Sequence, residues 1–266
     1  MSGISPLNYT FAVAKIRALE RFLIKQEVFI EAVESALDEA LRLFAESGLY
    51  SDELLHVRDS RRLEEILTQE SAGLKDLIGS LLLDKRLLGL LELNDLPCLK
   101  RALEHYRSDF LEDYLSQVID MHNIKSFLRL YVLKEPLDEL YKVIQCAGFI
   151  PKGDFIRLYS QDLAVFMHRL EYVHKRNETL DYASVLRGGI NQAVEKKSFI
   201  ALEKAMSSLL IGALKPAKYF TFGPEPVLAY YFARANEINL IRMTILAKLN
   251  NLDVGLLKER INAVYA

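Results

Sequence analysis

Two short patterns have the residue types and spacing of a metal centre. Glu53-x-x-His56 and Glu171-x-x-His174 each place a carboxylate and an imidazole at i and i+3, which on a helix brings both onto one face. Di-iron helical bundles use two such pairs, plus one Glu from each of two other helices. Glu27 and Glu139 stand upstream of the two pairs. The fit is poor, because Ser51-Asp52 puts the first pair in the opening turn of a short helix, and Glu139 follows Pro136 too closely. A metal-dependent helical enzyme is therefore kept only as the lesser alternative, behind a generic all-helical scaffold or adaptor. His105, His122 and His168 have no triad partners at telling distances and read as surface or packing residues. Cys98 and Cys146 fit neither a CxxC redox pair nor a zinc site. The GxxxxGK[ST], GxGxxG and GxSxG patterns are absent, and Gly188-Gly189 reads as a break between helices. The residues point to no catalytic group, no cofactor and no metal.

A second set of charges lies in otherwise apolar surroundings. Asp120 and Lys125 sit in one helical stretch, and Arg234, Glu237 and Arg242 are the only charges between Pro226 and Ala247. A helix this apolar is buried on most sides, so its charges need partners. Arg234 and Glu237, at i and i+3, are either an ordinary helix ion pair or contacts to a partner protein.

The elements that carry these residues are helices. A first apolar stripe runs from about Asn8 to Lys25, and a second helix carries Val28 through Phe44 with Gly48 as a left-handed stop. Ser51 and Ser60 read as N-caps, and Asn94-Asp95-Leu96-Pro97 as a turn that restarts a helix. A long helix spans Asp109 to Leu133. Pro136 opens the next and Gly148 closes it. Pro151 and Gly153 make the clearest internal break, at about 148–153, with Asp154 as the following cap. A helix through Leu163 and Leu170 ends near Asn177, and another runs from Ser198 to Leu214. Gly223-Pro224-Glu225-Pro226 opens the last long helix, since prolines are tolerated in a first turn. Asn250-Asn251 stops it, and Asp253 caps a final short helix. No strand pattern stands out, so the expected class is all-α in a single domain over 1–266.

Composition agrees and narrows the function. The 266 residues are 51% hydrophobic and 26% charged with a net charge of -2, which excludes wholesale disorder and argues against a nucleic-acid binder. The most apolar stretch, Ala205 to Leu214, ends at Lys215 and is too short to span a membrane. MSGISPLNYTF lacks the basic and apolar regions of a signal peptide, so a cytoplasmic location is expected.

Two long helices share a register. Asp120-Met121-His122-Asn123-Ile124-Lys125 can be laid over Glu237-Ile238-Asn239-Leu240-Ile241-Arg242, 117 positions later, with an acid, an Ile at +4 and a base at +5. Lys15-Ile16-Arg17 is a poorer third copy without the acid. Such spacing suggests similar helical units of roughly 110 residues rather than a short-period solenoid.

The C-terminal helix also carries a resemblance. GPEPVLAYYFARANEINLIRMTILAKLNN, Gly223 to Asn251, resembles the end of the C subunits of the V/A-type (archaeal-type) rotary ATPases, a family related to the d subunit of the eukaryotic vacuolar enzyme. Tyr9 to Glu20 and Asp120 to Lys125 resemble its opening and an internal Asp-x-x-Asn-Ile-Lys helix. The sequence departs where Leu240 stands for a usual Asn and Asn251 for a usual Gly, and the chain is short for the family, as though one unit were trimmed. The resemblance implies a funnel-like, all-helical body of about three similar units. It implies a non-catalytic central-stalk component that couples the shaft of subunits D and F to the membrane proteolipid ring. Asp120, Asn123, Lys125, Arg234, Glu237 and Arg242, the family-motif positions, are the candidate partner-interface residues. The location implied is peripheral, on the cytoplasmic face of a membrane, with no span and no nucleic acid.

Overall fold

The computed structural model describes residues 5–92, 103, 108–176 and 178–266. The expected turn at Asn94 to Pro97, Cys98, His105 and Asn177 lie outside them. The fold is all-α, and the chain forms two compact units: residues Met1–Glu92 with Ile211–Ala266, and Leu93–Leu210.

The first unit is organised around one helix. Helices α1 (Thr10–Glu20), α2 (Gln26–Glu34), α3 (Leu37–Ser47) and α4 (Ser60–Leu81) surround α11 (Glu225–Leu249), and α12 (Val254–Arg260) packs on α2. α11 buries residues on every side, from Val227 to Ala247, as its run of apolar residues requires. Its start needs a glycine: Gly223 has φ +99, and a Cβ there would meet the Glu225 carboxylate at 2.1 Å. Pro224 and Pro226 then fill the opening turn, where missing N–H groups cost nothing.

The second unit is built on α5 (Asp109–Leu133), flanked by α6 (Leu137–Val143), α7 (Lys152–Leu158), α8 (Leu163–Glu171) and α9 (Tyr182–Lys196), with α10 (Ile200–Leu214) leading back to the first unit. Its core centres on Phe127, whose ring stacks on Phe166 at 4.1 Å and meets Tyr159 edge-on at 5.5 Å. Such aromatic pairs contribute about 0.5–1.5 kcal/mol each beyond area burial.

Several local expectations change. The stripe from Val28 to Phe44 is two helices, α2 and α3, parted at extended Ser35 and Ala36. The cause is distant in sequence: Lys248 Nζ, from the end of α11, donates to the carbonyls of Val33 (3.1 Å) and Ser35 and so caps α2. Gly48 is extended rather than left-handed, and the cap of α4 is Asp59, not Ser60. Asp154 lies inside α7, salt-bridged to Arg157 and Arg169, while Pro151 holds the cap position. α6 ends at Val143, before Gly148. The α8 helix stops at Glu171, and β1 (Val173–Lys175) pairs antiparallel with β2 (Glu178–Leu180), Val173 opposite Leu180. These are the only strands among the described residues.

Gly188 and Gly189 do not break a helix. Both lie inside α9, and a Cβ on Gly189 would stand 2.5 Å from Leu202 Cα and 2.6 Å from its nitrogen. Glycine is there because α9 and α10 approach at backbone contact.

Candidate functional site

The charges buried in the two long helices form matching hubs. In α5, Asp120 is wholly buried. Its Oδ1 accepts the Ile150 N–H at 3.1 Å, and its Oδ2 accepts the Phe149 N–H at 3.1 Å and the Tyr182 hydroxyl at 3.2 Å. One turn on, Asn123 exchanges two hydrogen bonds with Gln145: its Nδ2 donates to the Gln145 carbonyl at 2.9 Å and its Oδ1 accepts the Gln145 N–H at 2.8 Å. Residues 145–150 contain no regular hydrogen-bonded element, so these side chains supply partners that the backbone lacks. Gly148 belongs to the same arrangement, since a Cβ there would lie 2.1 Å from Asp120 Oδ1.

Glu237 does the equivalent work in α11. It is 3% exposed, and it accepts the Ile24 N–H at 2.7 Å, the Tyr50 hydroxyl at 2.8 Å and a bond from Arg234. Arg234 also donates to the Leu49 carbonyl at 2.9 Å and lies 3.9 Å from the Tyr50 ring centroid. Burial raises the Glu237 carboxyl above the usual carboxylate range, opposed by Arg234 and the hydrogen bonds from Ile24 and Tyr50. Burial likewise pushes the phenols of Tyr50 and Tyr182 upward, aided by the carboxylate each one faces. Both therefore stay protonated and donate.

The correspondence extends past the acids. Ile24 and Ile150, the residues whose N–H groups are held, each precede a buried Phe by five positions: Phe29 in α2 and Phe155 in α7. Phe29 packs on Phe44 at 5.2 Å, and Phe155 on Phe166 at 6.1 Å. The bases at +5 are also matched, Lys125 bonding Glu203 at 2.7 Å and Arg242 bonding Glu64 at 3.0 Å. In both units an acid mid-helix pins the chain entering a second helix, and a tyrosine hydroxyl closes the hub.

The arrangement is structural chemistry. Asp120, Asn123, Arg234 and Glu237 are satisfied inside their own units, and Lys125 and Arg242 make part-exposed salt bridges. The match of Asp120 and Lys125 to Glu237 and Arg242 was readable in the sequence; Tyr50, Tyr182, Ile24 and Ile150 were not, because nothing local marks a phenol or an amide as a hub partner. The first unit also has a cleft of about 330 Å³ beside α4 and α11. Leu19, Leu49, Leu74 and Leu77 line it, with Glu70 and Arg234 as its charged groups.

The metal alternative finds no support in this geometry. Glu53 and His56 sit on a 3-10 turn, Asp52–His56, and Glu53 bonds Arg62. Glu171 ends α8 and bonds Arg187 at 3.0 Å, whereas His174 lies on β1 and is exposed. The second pair is split between a helix and a strand, the first stands on a single short turn with Glu53 engaged by Arg62, and among the described residues no cluster of three or more His, Cys, Asp or Glu could hold a metal. His122 contacts the Val143 carbonyl at 3.3 Å and His168 packs near Tyr172.

The family model for the ATP synthase (C/AC39) subunit matches residues 81–260. The C subunit of the V-type sodium ATPase of Enterococcus hirae is 28% identical over 157 residues, covering 59% of this chain and 45% of the relative. The chain thus spans under half the length of that relative. No described helix is long and apolar enough to cross a membrane. Because the family match runs through both hub helices and takes in about two thirds of the sequence, the chain belongs to the ATP synthase (C/AC39) subunit family.

Proposed function

We propose that this chain is a non-catalytic central-stalk component of a V/A-type ATPase or ATP synthase. In this reading it couples a shaft of subunits D and F to the membrane proteolipid ring, so that rotation links ATP turnover to ion translocation. Family membership over residues 81–260 is the observation that carries the reading. The hubs are consistent with it. A part that transmits torque must resist shear between its helices, and buried carboxylates bonded to backbone amides fix helix register in a way that sliding apolar contacts do not. The same reading places the chain peripherally on the cytoplasmic face and treats its two hub-bearing units as members of a three-unit, funnel-like body.

The test is recovery from native membranes. Affinity capture of the chain should co-purify subunits D and F and the ring proteolipid, and its deletion should abolish ATP-driven ion pumping while ATP hydrolysis continues. Capture of soluble partners alone, with pumping intact after deletion, would instead mean a helical scaffold unconnected with rotation.

A further inference from the structure

The first unit exposes aromatic side chains together with lysines that form no salt bridge among the described residues. The segment 217–223 runs back along α1: Arg17 Nη2 donates to the carbonyls of Ala217 (2.8 Å) and Phe220 (3.0 Å), and the Gly223 N–H donates to the Pro6 carbonyl at 3.3 Å. These bonds hold the backbone that carries Tyr219 and Phe222 along the stretch of chain that carries Leu7 and Phe11. Tyr219 is 88% exposed and Phe11 75%, and Leu7 and Phe222 are also exposed. Folded chains seldom leave several large apolar side chains together in water unless something covers them.

The only charged residues within these two segments, 7–15 and 215–223, are lysines. Lys15 follows Phe11 by one helical turn, and Lys215 and Lys218 flank the segment that carries Tyr219. None of the three meets a carboxylate among the described residues, and the Lys218 ammonium lies 4.7 Å over the Tyr265 ring. Of the neighbouring acids, Glu20 is already held by Arg17 and the Tyr265 hydroxyl, and Glu225, beside Gly223, is buried. Apolar phenylalanine rings, a tyrosine with a polar tip, and lysines on the same segments match the boundary between lipid headgroups and acyl chains.

We infer that this patch, Phe11, Tyr219 and Phe222 with Lys15, Lys215 and Lys218, is a docking surface for an anionic lipid bilayer. The aromatic rings enter the headgroup layer and the three ammonium groups remain among the lipid phosphates and carboxylates. At about 1 kcal/mol for each lysine near an anionic surface, the charges together strengthen binding roughly a hundredfold over a neutral bilayer. The inference does not depend on assembly with other ATPase subunits, and vesicles containing no protein test it separately.

The experiment is co-sedimentation of the full chain with phosphatidylcholine vesicles containing one quarter phosphatidylserine, against phosphatidylcholine alone. Binding should appear on the anionic vesicles and weaken as salt screens the lysines. A Lys15→Gln, Lys215→Gln, Lys218→Gln variant should lose about a hundredfold, and a Phe11→Ser, Tyr219→Ser variant at least tenfold. Both should keep the wild-type circular dichroism spectrum, since every altered side chain is exposed. The inference is overturned if anionic vesicles do not bind the wild type, or if both variants bind as it does. It is equally overturned if the variants bind vesicles normally but fail to capture a membrane protein of the complex in detergent, which would make the patch a protein contact.

Discussion

Replacing Glu237 tests whether the hub in α11 acts as one unit. In Glu237→Leu the Arg234 guanidinium stays buried without its carboxylate, and the Ile24 N–H and Tyr50 hydroxyl lose their acceptor. Breaking a buried ion pair from one side costs about 3–5 kcal/mol. With a urea slope of about 2–3 kcal/mol/M, the unfolding midpoint should fall by about 1–2.5 M. Adding Arg234→Met removes the stranded charge, so the double variant should be more stable than Glu237→Leu by about 1–3 kcal/mol, the remaining loss reflecting the orphaned Ile24 amide and Tyr50 hydroxyl. The sequence has no Trp, so unfolding is followed by far-ultraviolet circular dichroism and tyrosine emission together, as two compact units need not unfold in one transition. If the two single substitutions simply add in the double variant, the coupling is zero and the reasoning fails.

Neighbouring glycines in α9 should respond in opposite directions. Gly189→Ala must push α10 away from backbone contact and should cost about 1–3 kcal/mol or more, whereas Gly188→Ala meets nothing within 4 Å and should stabilise by about 0.5–1 kcal/mol; thermal melts of the pair decide it. Tyr9→Phe should cost about 1–3 kcal/mol in urea unfolding, because the buried Tyr9 hydroxyl is the acceptor for the Leu83 and Asp84 N–H groups. Asp84 has its carboxyl held below the ordinary 3.8, chiefly by hydrogen bonds from the Arg86 side chain. Its contribution is therefore present above pH 3.8 and lost as pH falls through the lower folded value. The stability gap between wild type and Asp84→Asn should narrow on acidification below about pH 4, and a gap that widens would contradict the assignment.

The long helices were the most legible part of the molecule. Ser108 accepts the Leu111 N–H and starts α5, and the matching acids of α5 and α11 could be aligned by position alone. Buried charges betray themselves in a sequence because little else in an apolar helix is charged. Less legible were features fixed by distant residues. The gap between α2 and α3 depends on Lys248, more than 200 positions away. Gly189 resembles a helix breaker until Leu202 is seen against it. Two strands of three residues are too short to show an alternation, which hid β1 and β2. Helix stops departed from the glycines expected at them: Gly48 is extended and α6 ends before Gly148, while lysines take the left-handed position after α5 (Lys134, φ 58) and α9 (Lys197, φ 54). Either residue accepts that backbone shape at modest cost once the turn after it is held.

The way α11 returns to the first unit has a consequence for the order in which the protein is made. Ile24 and Glu237 are 213 positions apart, so α1 to α4 leave the ribosome well before the helix that forms their central packing partner. The second unit, contiguous from Leu93 to Leu210, is complete earlier and has mostly short-range contacts to form. At about 5–20 residues per second, the apolar faces of α1 to α4 wait roughly 8–34 s for α11 after Leu81 has been synthesised. During that interval they are the segment most exposed to aggregation, and a chaperone should engage the nascent chain there.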